Sequence, residues 1–251
     1  MKSSYIYTMI RNRDLPKTYE NMKKAIFIAA IIALISAGCG KVENPDGGAT
    51  SHITRLSGKI AGTIDDQGTR ISGVVDDDLW VLAGKTGPFT IKVKVYGIAG
   101  TPPATVASGP LAEDGTFSVE LPATVDEGLL IDPGYSDQTG IVMSDTGLRT
   151  CPPQQTMLYI YDGADHNIGT VGYYSPDTAR GDLLYADRDC TVRGTISFTP
   201  EGEEAVFTDT YDYNLRRGWN WIFIYDDERP DFTIRTKIPS DARYYMSGWI
   251  E

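Results

Sequence analysis

The chain has 251 residues, 23 Lys and Arg against 34 Asp and Glu, a net charge of −11 and 41% apolar residues. So acidic a chain lacks the clustered Lys and Arg that neutralise phosphates, which excludes nucleic-acid binding. Length and apolar content are those of a globular protein able to bury a sizeable core, and the 26 glycines follow no fibrous period.

Residues 1–38 read as an export signal. From Met22 the chain runs through basic Lys23 and Lys24, the apolar stretch Ala25–Ile35 and the small residues Ser36, Ala37 and Gly38, reaching Cys39. Basic, apolar and small blocks in that order are the grammar of a secretory signal peptide. The apolar stretch has 11 residues, short of the ~20 that span a bilayer. Ile35-Ser36-Ala37-Gly38-Cys39 resembles a bacterial lipobox, with Ser36 where that motif usually carries Leu. The resemblance implies acylation of the Cys39 thiol and cleavage before it. Residues 1–21 then lie upstream of the true start.

Removal of 1–38 leaves 213 residues with 17 basic and 32 acidic side chains, a net charge of −15. Such a body is repelled by anionic headgroups, so membrane attachment falls to the acylated Cys39. Residues 39–52 form the lipidated tether, in which Lys41–Ser51 is polar and rich in turn formers.

The body, 53–251, reads as strands and turns. In chain order, period-two patterns predict strands over Leu56–Ile64, Phe89–Val95, Thr116–Leu121, Met157–Tyr161 and Leu183–Ala186. Further strands follow over Thr191–Phe198, Val206–Leu215, Trp219–Tyr225 and Phe232–Ile238. Turn signals such as Glu113-Asp114-Gly115, Asp162-Gly163 and Arg217-Gly218 separate them. No helical period is evident. Trp219 and Trp221 share one face of their strand and Ile222 and Ile224 the other, which marks a central strand with core on both sides. Of the 32 mature acids 23 are Asp, a turn-forming residue, so the acidity is mostly loop chemistry. The expected fold is all-β: one antiparallel β-sandwich, with two sub-domains meeting near 145–156 as the alternative.

Candidate chemistry is sparse. There is no Gly-x-Ser-x-Gly elbow, and only His52, in the tether, and His166, in a polar turn, offer an imidazole base. Asp76-Asp77-Asp78 and Asp226-Asp227-Glu228 read as solvated charge runs. Asp162-x-x-Asp165-x-Asn167 and Asp209-x-x-Asp212-x-Asn214 offer hard oxygens but miss the EF-hand spacing. No metal or cofactor is expected. Cys151 and Cys190 either pair as a disulfide in an oxidising compartment or sit apart as buried thiols. Tyr173-Tyr174 and Tyr244-Tyr245, with Trp249 nearby, are the candidate binding aromatics. If these segments are strands, one tyrosine of each pair faces outward.

Two stretches carry a wider likeness. Leu111-Ala-Glu-Asp-Gly-Thr-Phe-Ser-Val-Glu-Leu-Pro122 is similar to the Asp-Gly-x-Phe hairpin of transthyretin-like modules. Leu184–Gly194, Tyr213–Trp221 and Ile238–Tyr245 resemble the C-terminal half of uncharacterised lipoproteins common in Bacteroidetes. The resemblance implies an address, the bacterial outer membrane facing either periplasm or surface, and no established activity. Two readings of function follow. One is a non-catalytic, lipid-anchored binding or assembly module for glycan or protein. The other is a polysaccharide hydrolase using an Asp pair.

Overall fold

Alternation in sequence becomes alternation in burial. In the computed structural model, which describes residues 52–64, 82, 85–96, 102–151, 155–175, 179–199, 206–226 and 231–247, Phe89, Ile91, Val93 and Val95 are buried. Thr90, Lys92 and Lys94 between them are half-exposed. The described strands, in chain order, are β1 His52–Ile53, β2 Arg55–Ile64, β3 Phe89–Val95, β4 Ala104–Leu111, β5 Thr116–Glu120, β6 Ile141–Met143, β7 Thr150–Cys151 and β8 Thr156–Tyr161. They continue as β9 Asn167–Ser175, β10 Ala179–Ala186, β11 Cys190–Phe198, β12 Phe207–Leu215, β13 Gly218–Asp226, β14 Asp231–Arg235 and β15 Arg243–Ser247. Every strand expected from alternation is present. The stretch 1–38 read as a signal peptide, Cys39 and all but His52 of the stretch read as a tether lie outside the described residues, as do Asp76-Asp77-Asp78 and Trp249.

The all-β class stands, but the sheet is not laid out as a simple antiparallel sandwich. It follows the order β15-β2-β5-β4-β3-β8-β9, and β15 pairs again with β9, which closes seven strands into a barrel. Two pairings are parallel, β15 with β2 and β12 with β14. A close contact marks the closing seam. Gly58 faces inward between Leu56 and Ile60, and a Cβ there would lie 3.1 Å from the Tyr244 ring. The missing side chain therefore leaves room for that ring. Tyr244 stacks on Tyr173 at 4.4 Å and meets Phe117 edge-on at 4.9 Å.

β4 and β5 form a hairpin at the turn signal Glu113-Asp114-Gly115. Gly115 adopts φ +83°, and the Asp114 carboxylate accepts hydrogen bonds from the backbone N–H and hydroxyl of Thr116. β4 escaped prediction because Ala, Ser, Gly109 and Pro110 dilute its pattern. Gly109 is required by contact: a Cβ there would lie 2.1 Å from the Ser118 carbonyl oxygen on β5.

At β9 the sheet forks. Residues Asn167–Val171 pair with β8 and Tyr173–Ser175 with β10, so β10 leads away into β13, β14, β12, β11 and β6. β13 is apolar on both faces over Trp219–Ile224 apart from the buried Asn220, as its pattern implied, and β10 is so over Leu183–Ala186. Leu183, Tyr185, Trp219, Trp221 and Phe223 join the barrel core. Leu184, Ala186 and Ile222 join a second cluster with Leu148, Cys190, Val192, Tyr213 and Leu215. The sulfurs fall on either side of this layer. Cys151 belongs to the first cluster and Cys190 to the second, and both are free thiols, so the disulfide alternative is not the one adopted. Burial pushes the Cys151 thiol up to about 12.

Two outcomes follow. Tyr244→Ala empties a buried ring site and lowers stability by about 3–5 kcal/mol, whereas the outward-facing Tyr245→Ala costs about 1 kcal/mol or less; denaturant unfolding of both variants measures the contrast. Without reductant, iodoacetamide labels the Cys151 and Cys190 peptides only after unfolding. Peptide mass spectrometry that recovered them disulfide-linked would contradict the arrangement.

Candidate functional site

The tyrosine pairs separate by face, as strand geometry demands. Tyr173 and Tyr244 point into the barrel among Trp221, Phe223 and Phe117, which withdraws both from a role as exposed binding aromatics. Tyr174 and Tyr245 turn outward, half-buried, with ring centroids 6.3 Å apart. Tyr174 folds over Gly172, where a Cβ would meet its ring at 2.1 Å. Its cross-strand partner is Arg180. The Arg180 guanidinium donates through Nε and an Nη to both Asp182 oxygens at 3.1 Å. Burial raises the Tyr174 phenol, partly opposed by the Arg180 charge.

The track continues onto the inner face of β12, where Asp209, Tyr211 and Tyr213 stand in phase. Tyr135 reaches them from the short 3₁₀ turn Tyr135–Asp137. Its ring centroid lies 5.3 Å from Tyr211 and 6.0 Å from Tyr213, and its hydroxyl donates to the Tyr213 hydroxyl at 3.5 Å. Asp182, its side chain 14% exposed, faces this cluster across the second core closely enough to act on the Tyr213 phenol. Tyr213 is buried, while Tyr135, Tyr211, Asp182 and Asp209 are half-buried.

This electrostatic setting is unusual for the molecule. Burial raises the Tyr213 phenol well above its ordinary value, with Tyr135 and Tyr211 adding to the rise. Burial also raises Tyr135, and the nearby Asp209 charge reinforces it. Asp209 itself is pushed up to about 6 by burial, with a smaller push from Asp231, against a hydrogen bond from Tyr211. Arg180 and Asp209 lie close to one end of the sheet, where β9 gives way to β10, β11 to β12 and β13 to β14.

Other sequence candidates are engaged in the fold. Asp162 accepts hydrogen bonds from the Ala164 and His166 backbone N–H groups, and His166 is exposed. Asp165 pairs with Lys92, and Asp212 faces outward to Arg193 at 2.8 Å. Asp162, Asp165 and Asp212 of the two oxygen sets weighed for calcium are thereby engaged in a turn and in ion pairs. Among the described residues no group of three or more His, Cys, Asp and Glu could hold a metal ion. On the outer wall, Lys92 and Lys94 lie 4.2 and 4.9 Å over the Tyr161 ring, so their stems cover an outward tyrosine.

Sequence reasoning reached Tyr174 and Tyr245 but missed the cluster on β12. The available signal was Asp209 in phase with Tyr211 and Tyr213, an acid on an otherwise aromatic strand face. Nothing local tied Tyr135 to them. No protein-family model, curated protein or solved structure matches the chain.

The raised Asp209 has a signed consequence. An unfolded Asp titrates near about 4, so between about pH 4 and 6 the fold retains a proton that the unfolded chain releases, and stability falls as pH rises through that window. Asp209→Asn removes this cost. It should stabilise the protein at pH 7.5 by about 1–2 kcal/mol, discounted for partial solvent screening, and change little at pH 4. Urea unfolding at the two pH values measures the difference.

Proposed function

We propose that this protein is a lipid-anchored, non-catalytic lipoprotein of the bacterial outer membrane whose β body binds glycan. The export signal ending at Cys39 supports the address, and the resemblance to Bacteroidetes lipoproteins agrees with it. The observation that carries the binding reading is the outward face of β9, β10 and β15. There the half-buried rings of Tyr174 and Tyr245 stand beside the paired Arg180 and Asp182 on regular strands. Sugars present apolar C–H faces that stack on aromatic rings and hydroxyls that bond carboxylates and guanidinium groups. Tyrosine offers contact area at low entropic cost, and strands hold it more firmly than loops.

The experiment has two arms. Cys39→Ala should move the protein out of the membrane fraction, and an unchanged fraction refutes the anchor. The detergent-solubilised full chain on a glycan array should show saturable binding without release of reducing sugar. Silence there, with a protein captured instead, favours the assembly role. Release of reducing ends that disappears in Asp209→Asn favours the hydrolase.

A further inference from the structure

Apart from the outward face of β9, β10 and β15, the described residues present a lysine-covered Tyr161 wall, the edge strand β6 and the tyrosine–aspartate face of β12. The wall is explained by packing, since Lys92 is also held by Asp165. The β6 edge is only three residues long. The face of β12 carries more.

We infer that Tyr135 and Tyr211, flanked by Asp209 and Asp182, form the principal sugar seat, and that its ligand is a neutral oligosaccharide extending toward Tyr174. The inference rests on the glycan reading above and assigns it a place and a substrate class.

The ring centroids of Tyr135 and Tyr211 are 5.3 Å apart with planes inclined at 60°, so they form an angled aromatic corner rather than a flat stack. Both are half-buried and rest on the second apolar core. Beneath them Tyr213, 1% exposed, closes the floor. A pyranose ring set on such a corner buries its C–H face against one tyrosine and its edge against the other.

The polar groups then fall at the rim. Asp209 is one pleat along the same strand face as Tyr211, and a carboxylate there can accept hydrogen bonds from two vicinal hydroxyls. On the opposite layer Asp182 is oriented by both arms of Arg180. A half-buried acid packed among aromatics costs stability, which the single hydrogen bond it accepts from Tyr211 offsets only in part. Its neighbours in phase along β12 are aromatic or aliphatic: Phe207, Tyr211, Tyr213 and Leu215. A polar group retained at such cost fits a role in recognition.

Charge selects the ligand class. At the seat Arg180 and Asp182 offset one another, which leaves the Asp209 carboxyl with Asp231 close enough to act on it, on a mature chain of net −15. Uronic and sialic acids are repelled; neutral hexose and N-acetylhexosamine units are not. Length follows from the track. Asp182 faces Tyr213 on one side, and its partner Arg180 stands opposite Tyr174 on the other. Several sugar units can therefore bind in a line.

The test titrates hexasaccharides of glucose, mannose, N-acetylglucosamine and galacturonic acid into the detergent-solubilised full chain by calorimetry. At least one neutral hexasaccharide should bind, and more tightly than its disaccharide; galacturonate hexamer should not. Tyr211→Ala should weaken the best ligand at least tenfold, and Asp209→Asn several-fold in a chain that stays folded at pH 7.5. Tyr211→Phe, which keeps the ring, should retain most of the affinity and guards against misreading a folding defect. Neutral binding that survives Tyr211→Ala and Asp209→Asn but is lost in Tyr174→Ala or Tyr245→Ala would overturn the seat while leaving the glycan reading intact. A preference for galacturonate hexamer overturns the ligand class. Absence of binding to any oligosaccharide, here and on the array, overturns both.

Discussion

Everything in this fold depends on how the last strand finds its place. β15 lies between β2 and β9, parallel to one and antiparallel to the other, and without it the barrel would keep two open edges. The contact that seats it is a ring against an absent side chain, Tyr244 over Gly58. A glycine in a strand interior ordinarily weakens the strand. Here it leaves space that an aromatic ring from a residue far along the chain fills, and Tyr173 and Phe117 complete the packing around that ring. Local propensity is given up so that a distant contact can form, and closure removes the exposed edges that sheets otherwise have to protect.

Closure also fixes what happens at β9. One side of that strand is taken by β15 along Thr170–Tyr174, so β8 and β10 divide the other side between them. The fork gives the molecule two cores separated by a single layer, β10 and β13. Where both cores press on that layer its residues are apolar on both faces: Trp219, Trp221 and Phe223 on the barrel side, Ile222 and Leu184 on the other. The same layer holds Cys151 and Cys190 apart. Redox compartment alone therefore does not decide whether two cysteines pair; which face of a shared layer each occupies decides it.

The second core grades from apolar to polar along its length. At one end Cys190, Leu215 and Ala186 are fully buried. Toward the end where β9, β11 and β13 give way to β10, β12 and β14, the same strand faces present Asp182, Asp209 and Arg180 instead. Tyrosine occupies the transition because it has an apolar body and a polar tip. Tyr213 is wholly buried there, while Tyr135 and Tyr211 are half-covered. The elevated pKa of Asp209 is the electrostatic signature of that gradient: a carboxyl placed where water is scarce and where Asp231 adds a like charge.

Much of the fold was legible because burial enforces period two. The strands over Phe89–Val95, Thr191–Phe198 and Trp219–Tyr225 appear where alternation placed them, and the Asp114-Gly115 turn forms its hairpin for local reasons the residues already contain. Strands β4, β9 and β15 were weakly marked, since Gly and Pro in the first, Gly in the second and paired tyrosines in the third blur the pattern. What the sequence by itself determined was class, strand periodicity, turn chemistry and the two-faced character of β13, all properties of residues near one another in the chain. Only the tertiary structure decided that the sheet closes, that Cys151 and Cys190 stand apart, that Tyr244 is core while Tyr245 is surface, and that Tyr135 meets Tyr211. Each of these depends on which distant strand lies alongside, and pairing between strands far apart in sequence leaves no mark on the local pattern of either one.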